Sequence, residues 1–217
     1  MLLMDCGDSA VQGIKKTGVL DDVDLVILFL SHQHPDHIGG VPYLIKKCKN
    51  DGIDLAFLLS SYGTQRKQIL HELTKKHNVP STKIETIASS HAASLMGFHD
   101  IDYDILHHNV KTQTTALIMK KKTIGGYKKT IFAADHNSKA FIKKVIQDQN
   151  LEDLYTDCTK KHNDSHTVHF PFNRLTQIVP PDIRHKVTLM HGSCDLYERA
   201  RIAGFNTADQ FIYERPW

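Results

Sequence analysis

Within the stretch FLSHQHPDHIGG, from Phe29 to Gly40, three histidines and one aspartate fall inside six residues: His32, His34, Asp36 and His37. Imidazole nitrogens and carboxylate oxygens are the donors that zinc takes. In a chain with 15 His this spacing arises by chance in roughly one such sequence in two hundred. His32 and His34 alternate, so on an extended or tightly looped backbone both rings project to one side. Pro35 then forces a turn and aims Asp36 and His37 at a second point. Four donors here and three or four elsewhere exceed the needs of one tetrahedral zinc. Two adjacent ions are therefore expected. A bridging carboxylate, Asp135, would suit a pair roughly 3.5–4 Å apart that clamps the attacking and leaving oxygens of a displacement.

The other donors also follow apolar runs. VDLVILFLS (Val23 to Ser31) is a continuous apolar stretch bounded by acidic residues, as an interior strand requires, and it delivers His32 to His37. Further strand endings deliver His107-His108, Asp135, Asp157 and His191. Strand ends converge while the loops beyond them vary, which is where an α/β scaffold builds a site. The remaining pattern predicts strands over MLLMDC (Met1 to Cys6), Ile53 to Ser60, Lys83 to Ala88 and Ile101 to Leu106. Two more strands are expected around a turn at Gly125-Gly126. Helical spacing marks Gly40 to Lys49, Thr64 to His77, Ser138 to Gln149 with Ser138 as its cap, and Asp195 to Ile202.

Composition narrows the class. A chain of 217 residues with 41% hydrophobic content fits one domain with an ample core. At 24% charged residues and a net charge of +3 it is neither disordered nor a strongly basic polyanion-coating protein. The lysine runs, Lys120 to Lys122 among them, read as solvated surface. Cys6, Cys48, Cys158 and Cys194 form no C-x-x-C pair, which argues against a structural zinc knuckle. No signal peptide or long apolar span is recognisable, so a reducing, cytoplasmic setting without membrane association is expected.

Taken in order, LLMDCG, SHQHPDH, a later His before a strand, FAAD and LMHGS resemble the successive motifs of the metallo-β-lactamase fold superfamily over nearly the whole chain. The resemblance implies an α/β fold, a four-layer αββα sandwich, with residues 1–217 as a single metallo-β-lactamase-like domain and a dinuclear zinc site on one edge. Manganese is an alternative metal, and no organic cofactor is implied. His32, His34 and His108 would hold the first ion, Asp36, His37 and His191 the second, and Asp135 would bridge. The nucleophile would be a hydroxide held between the ions. His107 competes with His108 for its place, since adjacent residues on a strand face opposite ways. The superfamily usually carries one or two strands before LLMDCG, so either this sequence starts late or the fold is N-terminally short, with an edge that a second copy covers. A homodimer, typical of the related phosphodiesterases, is expected.

Within the superfamily, Asp135 stands where the commoner class B β-lactamases have Cys, and LHHNVKTQTTALI lacks the Pro-Gly turn of glyoxalase-type hydrolases. The chain is more similar to the tRNA 3′-processing endonucleases and related phosphodiesterases. Those carry an acidic residue and a His-Ser/Thr pair that Asp157 and His166-Thr167 would supply, although Asp here replaces the family's Glu. Asp36, Asp157 and His166 are then the candidate catalytic residues, with His166 as proton donor, while His162 and His169 are read as surface residues. Gly39 to His108 contains no Gly/Pro-rich basic arm such as the tRNA enzymes use, and capture of a folded polyanion needs many neutralised phosphates. The resemblance thus points to the compact cyclic-nucleotide phosphodiesterases, the phage anti-Pycsar enzymes above all, acting on a 3′,5′-cyclic nucleotide signal in the host cytoplasm. The alternatives are an RNA or tRNA 3′-end endonuclease and, from another class, a non-catalytic metal-binding interaction protein.

Overall fold

The apolar run of Leu25–Phe29 becomes the middle strand of a parallel sheet, because only a strand covered on both faces hides side chains pointing both ways. Val26, Ile27, Leu28 and Phe29 are all essentially inaccessible, and each such side chain contributes roughly 1.5–3 kcal/mol by leaving water. A computed structural model describes residues 1–107, 112–159 and 169–209; His108, His162 and His166 lie outside the described residues. The chain divides into two compact units, Met1–Tyr103 and Asp104–Trp217.

In the first unit β1 (Leu2–Met4), β2 (Leu25–Phe29) and β3 (Asp54–Leu58) form a three-stranded parallel sheet in that order. The crossovers are α1 (Asp8–Thr17) between β1 and β2, and α2 (Pro35–Ile38) with α3 (Val41–Asp51) between β2 and β3. Next come α4 (Gly63–Lys75) and α5 (Ser89–Leu95). Val11 and Ile14 of α1, Val41, Leu44 and Cys48 of α3, and Ile69 and Leu73 of α4 join Val26 and Leu28 in one core. Gly40 sits where a Cβ would come within 2.9 Å of the Cys6 carbonyl oxygen and nearer still to that of Gly7, so the start of α3 lies directly on the β1–α1 connection. The strand expected over Lys83 to Ala88 reduces to one bridge, Phe57 with Thr86, preceded by a 3₁₀ turn at Ser81–Lys83. Lys83 and Glu85 are exposed, so this segment has too few buried side chains to hold a longer strand.

The second sheet has six strands in chain order: β4 (Asp100–His107), β5 (Gln113–Thr123), β6 (Gly126–Ala133), β7 (Leu151–Asp157), β8 (Val187–Met190) and β9 (Asn206–Thr207). β5 and β6 form an antiparallel hairpin around Gly125, whereas β6, β7, β8 and β9 run parallel. Helix α6 (Lys139–Ile146) links β6 to β7, capped by Ser138, whose hydroxyl accepts from the Phe141 amide at 3.2 Å. After β7 come α7 (Phe172–Ile178) and, following β8, α8 (Cys194–Ile202). Phe141, Ile142, Leu154, Phe170, Leu175, Val187 and Leu196 anchor the second core. No helix of the described residues is long and apolar enough to cross a membrane.

Candidate metal centre

Beyond β2 the chain leaves the sheet through Ser31, His32, Gln33 and His34, and turns at Pro35 into the first position of α2. That turn places His34 at the helix N-cap and Asp36 and His37 inside the single helical turn. Asp5, one residue past β1, organises the whole loop. Its carboxylate accepts from the Ser31 amide, the Ser31 hydroxyl and His37 Nδ1, each at 2.7 Å. The residue holds a left-handed backbone, φ 57°, which aspartate tolerates better than most residues. Main-chain bonds from the Asp5 amide to Phe29 and from the Cys6 amide to the His37 carbonyl, 2.8 and 2.7 Å, lock that turn in place. Gly7 completes the contact, since a Cβ there would stand 1.7 Å from the Asp36 carbonyl oxygen.

These bonds decide where the ring protons sit. An ionised carboxylate only accepts, so His37 carries its proton on Nδ1 and presents Nε2 as a lone pair. Ser31 gives its single proton to Asp5, so its oxygen accepts from His32 Nδ1 at 3.1 Å, and the His32 proton likewise sits on Nδ1 and not on Nε2. The Asp5 carboxylate behind His37, reaching His32 through the Ser31 hydroxyl, is the usual outer support of a metal ligand, fixing tautomer and raising basicity. His32 Nε2 lies 3.1 Å from His34 Nδ1. Two nitrogens on one tetrahedral zinc, at roughly 2.0–2.1 Å each, stand about 3.3–3.4 Å apart. The donor set therefore fits zinc in type, tautomer and spacing. His32 and His37 are buried, whereas the Asp36 carboxylate is 59% exposed and lies 3.7 Å from His37 Nε2.

The second unit supplies its donors from three neighbouring parallel strand ends. Ala133 of β6 pairs with Thr156, and Asp157 of β7 with Met190 of β8, so Asp135, Asp157 and His191 emerge side by side. Asp135 Oδ1 lies 3.1 Å from His191 Nδ1. His191 has φ 60°, an uncommon conformation that recurs at functional sites. Asp157 is fully buried. Its carboxyl is pushed up to about 7, by loss of water first and then by the neighbouring Asp135, against the pull of a hydrogen bond from His169. His169 Nδ1 is 2.8 Å from Asp157 Oδ2 and 3.7 Å from Asp135 Oδ1. Asp135, Asp157 and His169 thus form a cluster able to hold a cation, their ligand atoms all within 4.8 Å of one another.

Of the sequence-predicted site residues, His32, His34, Asp36, His37, Asp135, Asp157 and His191 stand at strand ends or in the turns after them. His107 ends β4, and His108 and His166 lie outside the described residues. Three functional residues escaped the sequence reading. Asp5 and Ser31 fix the histidine tautomers, and His169, read as a surface residue, is instead the partner of Asp157. Buried His136 is structural, its Nδ1 accepting from the Ser138 amide and its Nε2 bonding Thr156 Oγ1.

A search of curated protein sequences returned no match. The solved structures similar to this chain share its fold at low identity. A diphosphatase of the PhnP family superposes with a TM-score of 0.63 at 16% identity, covering 95% of this chain and 76% of its own. The metallo-β-lactamase fold protein YhfI from Bacillus subtilis gives 0.60 at 16% identity, covering 95% and 82%. The short form of human tRNase Z gives 0.54 at 14% identity, covering 95% and 85%. These likenesses establish the metallo-β-lactamase fold. Residues 1–212 match the family model described as anti-Pycsar protein Apyc1. With that match over almost its full length, the chain belongs to the anti-Pycsar protein Apyc1 family, metal-dependent phosphodiester hydrolases of metallo-β-lactamase fold.

Proposed function

We propose that this protein is a dinuclear zinc phosphodiesterase that opens a 3′,5′-cyclic nucleotide. The observation that carries the proposal is the hydrogen-bond chain from Asp5, which presents the Nε2 lone pairs of both His32 and His37. In this reading residues 1–217 act as one domain. His32, His34 and His108 would hold one ion, Asp36, His37 and His191 the other, and Asp135 would serve both. When bound, the ions supply Lewis acidity toward the scissile phosphate. The family name supports a nucleotide signal as substrate. Cytoplasmic function as a homodimer completes the proposal, and light scattering tests the dimer: a concentration-independent monomer refutes it.

The residues themselves handle the leaving group. An alkoxide departs poorly unless it is protonated. His166 is the donor that the family motif suggests, with Asp157 holding its other nitrogen. A specific contact favours a second assignment: His169 Nδ1 already bonds Asp157 Oδ2 at 2.8 Å. That bond leaves Nε2 of His169 to carry the proton that the alkoxide needs. Replacing either histidine by Ala distinguishes the two. The true donor's variant retains both zinc ions, loses most activity on a cyclic nucleotide, and loses far less on bis(p-nitrophenyl) phosphate, whose leaving group needs little protonation. Equal losses on both substrates, or none, remove that histidine from the mechanism.

The substrate assignment is tested by offering purified protein a panel of 3′,5′-cyclic mono- and dinucleotides beside precursor tRNA. Metal-dependent opening of a cyclic nucleotide, with the tRNA left intact, is expected. Cleavage of precursor tRNA alone overturns the assignment.

A further inference from the structure

The hairpin of β5 and β6 carries its charge in an arrangement that a general solvated surface does not require. Its register sets Lys120 opposite Lys129, Lys121 opposite Lys128 and Lys122 opposite Tyr127. Like charges directly across a ladder repel one another. Lys129 is relieved by Asp148 at 2.5 Å, whereas Lys121, Lys122 and Lys128 have no ion pair among the described residues. Because side chains alternate, Lys121 and Lys128 project from one face of the ribbon, and Lys122 and Tyr127 from the other. β7 joins β6 only from Lys129 onward, so this charge lies past the end of that neighbour. At the turn stands Ile124, fully exposed, with Tyr127 40% exposed behind it. Turn positions ordinarily take polar residues or glycine. A tip shaped only for solubility would not expose an isoleucine.

We propose that this ribbon is a docking arm for double-stranded DNA. The major groove, about 12 Å wide, admits a two-stranded ribbon and offers a phosphate wall on each side. Lysines on both faces of the ribbon meet both walls, and the repulsion between Lys121 and Lys128 is relieved by the intervening phosphates. Ile124 supplies an apolar tip of the kind that packs against thymine methyl groups on the major-groove floor. A planar anionic membrane fits less well. It meets the ribbon end-on, and Lys121 and Lys128 begin three or four residues, roughly 10–13 Å, behind that end, about a Debye length away. The arm is also remote from the candidate metal centre. β6, eight residues long, separates the turn from the Asp135 end by roughly 26 Å. Docking through it therefore localises the protein without occupying the site that handles a small diester.

The test is fluorescence anisotropy of a labelled DNA duplex of roughly 20 base pairs with the full chain, titrated across salt concentrations. Three neutralised phosphates predict a slope of log K on log salt near −2.7, or about 40-fold weaker binding at 200 mM than at 50 mM. Replacing Lys121, Lys122 and Lys128 together by Glu should weaken binding at least tenfold and flatten the slope, with metal-dependent hydrolysis of bis(p-nitrophenyl) phosphate unchanged. Ile124→Ser, a milder change, should weaken binding while keeping the slope. Failure of the wild-type chain to bind the duplex overturns the proposal, as does unchanged binding by the triple variant. So does capture of the chain by phosphatidylserine vesicles in place of DNA. Hydrolysis of the small diester is read separately, so the result is independent of the cyclic-nucleotide assignment.

Discussion

Asp5→Asn is the most demanding test of the metal site, because it changes one atom and no shape. The carboxylate accepts three hydrogen bonds, two from Ser31 and one from His37. An amide in its place offers one acceptor oxygen and a donor nitrogen. If the oxygen stays with the Ser31 amide, the nitrogen faces His37 Nδ1, and the ring must move its proton to Nε2, the atom proposed to hold zinc. If the amide flips, the nitrogen faces the Ser31 N–H and leaves it unpaired. Asparagine suits the left-handed backbone at φ 57° as well as aspartate does, so the substitution adds no backbone strain of its own. Losing such a support weakens metal affinity by about 10–100-fold, or roughly 1.4–2.7 kcal/mol. One buried bond to a charged group is worth about 2 kcal/mol in the metal-free protein, a fall in Tm of roughly 4–8 °C for this size of chain. Competition with a chromogenic chelator measures the first quantity and differential scanning fluorimetry the second. Zinc affinity within twofold of wild type would show that Asp5 does not hold the histidine tautomers, and the reasoning would fall.

Further outcomes follow from other parts of the structure. Asp135→Ala should abolish turnover and lower the zinc content from close to two equivalents per chain; near wild-type turnover in that variant would sink its bridging role. Gly7→Ala places a methyl 1.7 Å from the Asp36 carbonyl, and should cost about 1–3 kcal/mol or more while weakening zinc binding, both read from paired melting and chelator titrations. In the native protein only exposed Cys194 should react with Ellman's reagent. Burial pushes the Cys6 thiol up to about 12 and raises Cys48 and Cys158 as well. Urea should release the other three thiols, and more than one fast-reacting thiol in native buffer would contradict the packing.

What the sequence made legible was local. The His32-to-His37 motif could be read because Pro35 starts a helical turn immediately after an apolar strand, so four donors come from one short stretch whose geometry the chain dictates by itself. Asp135, Asp157 and His191 could be read because each follows an apolar run, and parallel pairing of β6, β7 and β8 turns three separate runs into neighbouring strand ends. The hairpin's Gly turn was visible for the same reason, and its two-sided lysine arrangement was not, because cross-strand register is not written in either strand alone. Helices α5 and α7 lack a legible apolar repeat and form because tertiary packing of a few residues, such as Leu175, overrides weak propensity, whereas α1 carries Val11 and Ile14 at helical spacing, a signal too short to stand out in the sequence.

His169 shows most clearly where local reading stops. Nothing around it has a period, and on its own it is one imidazole among several in a polar stretch. Its position comes from pairing outside the motif: Thr159 bridges Pro171, with the Thr159 amide bonding the Phe170 carbonyl at 2.9 Å and the Phe172 amide bonding Thr159 at 3.0 Å. Phe170, completely buried, pins that return. The residue immediately before it is thereby carried back to the end of β7, where Asp157 waits. Asp5 reaches Ser31 and His37 by the same logic across 26 and 32 residues, through the parallel pairing of β1 with β2. The donors of the His32-to-His37 motif can be found by spacing because they share a short loop. The residues that aim them cannot, because each arrives through a strand or return pairing formed only in the folded chain.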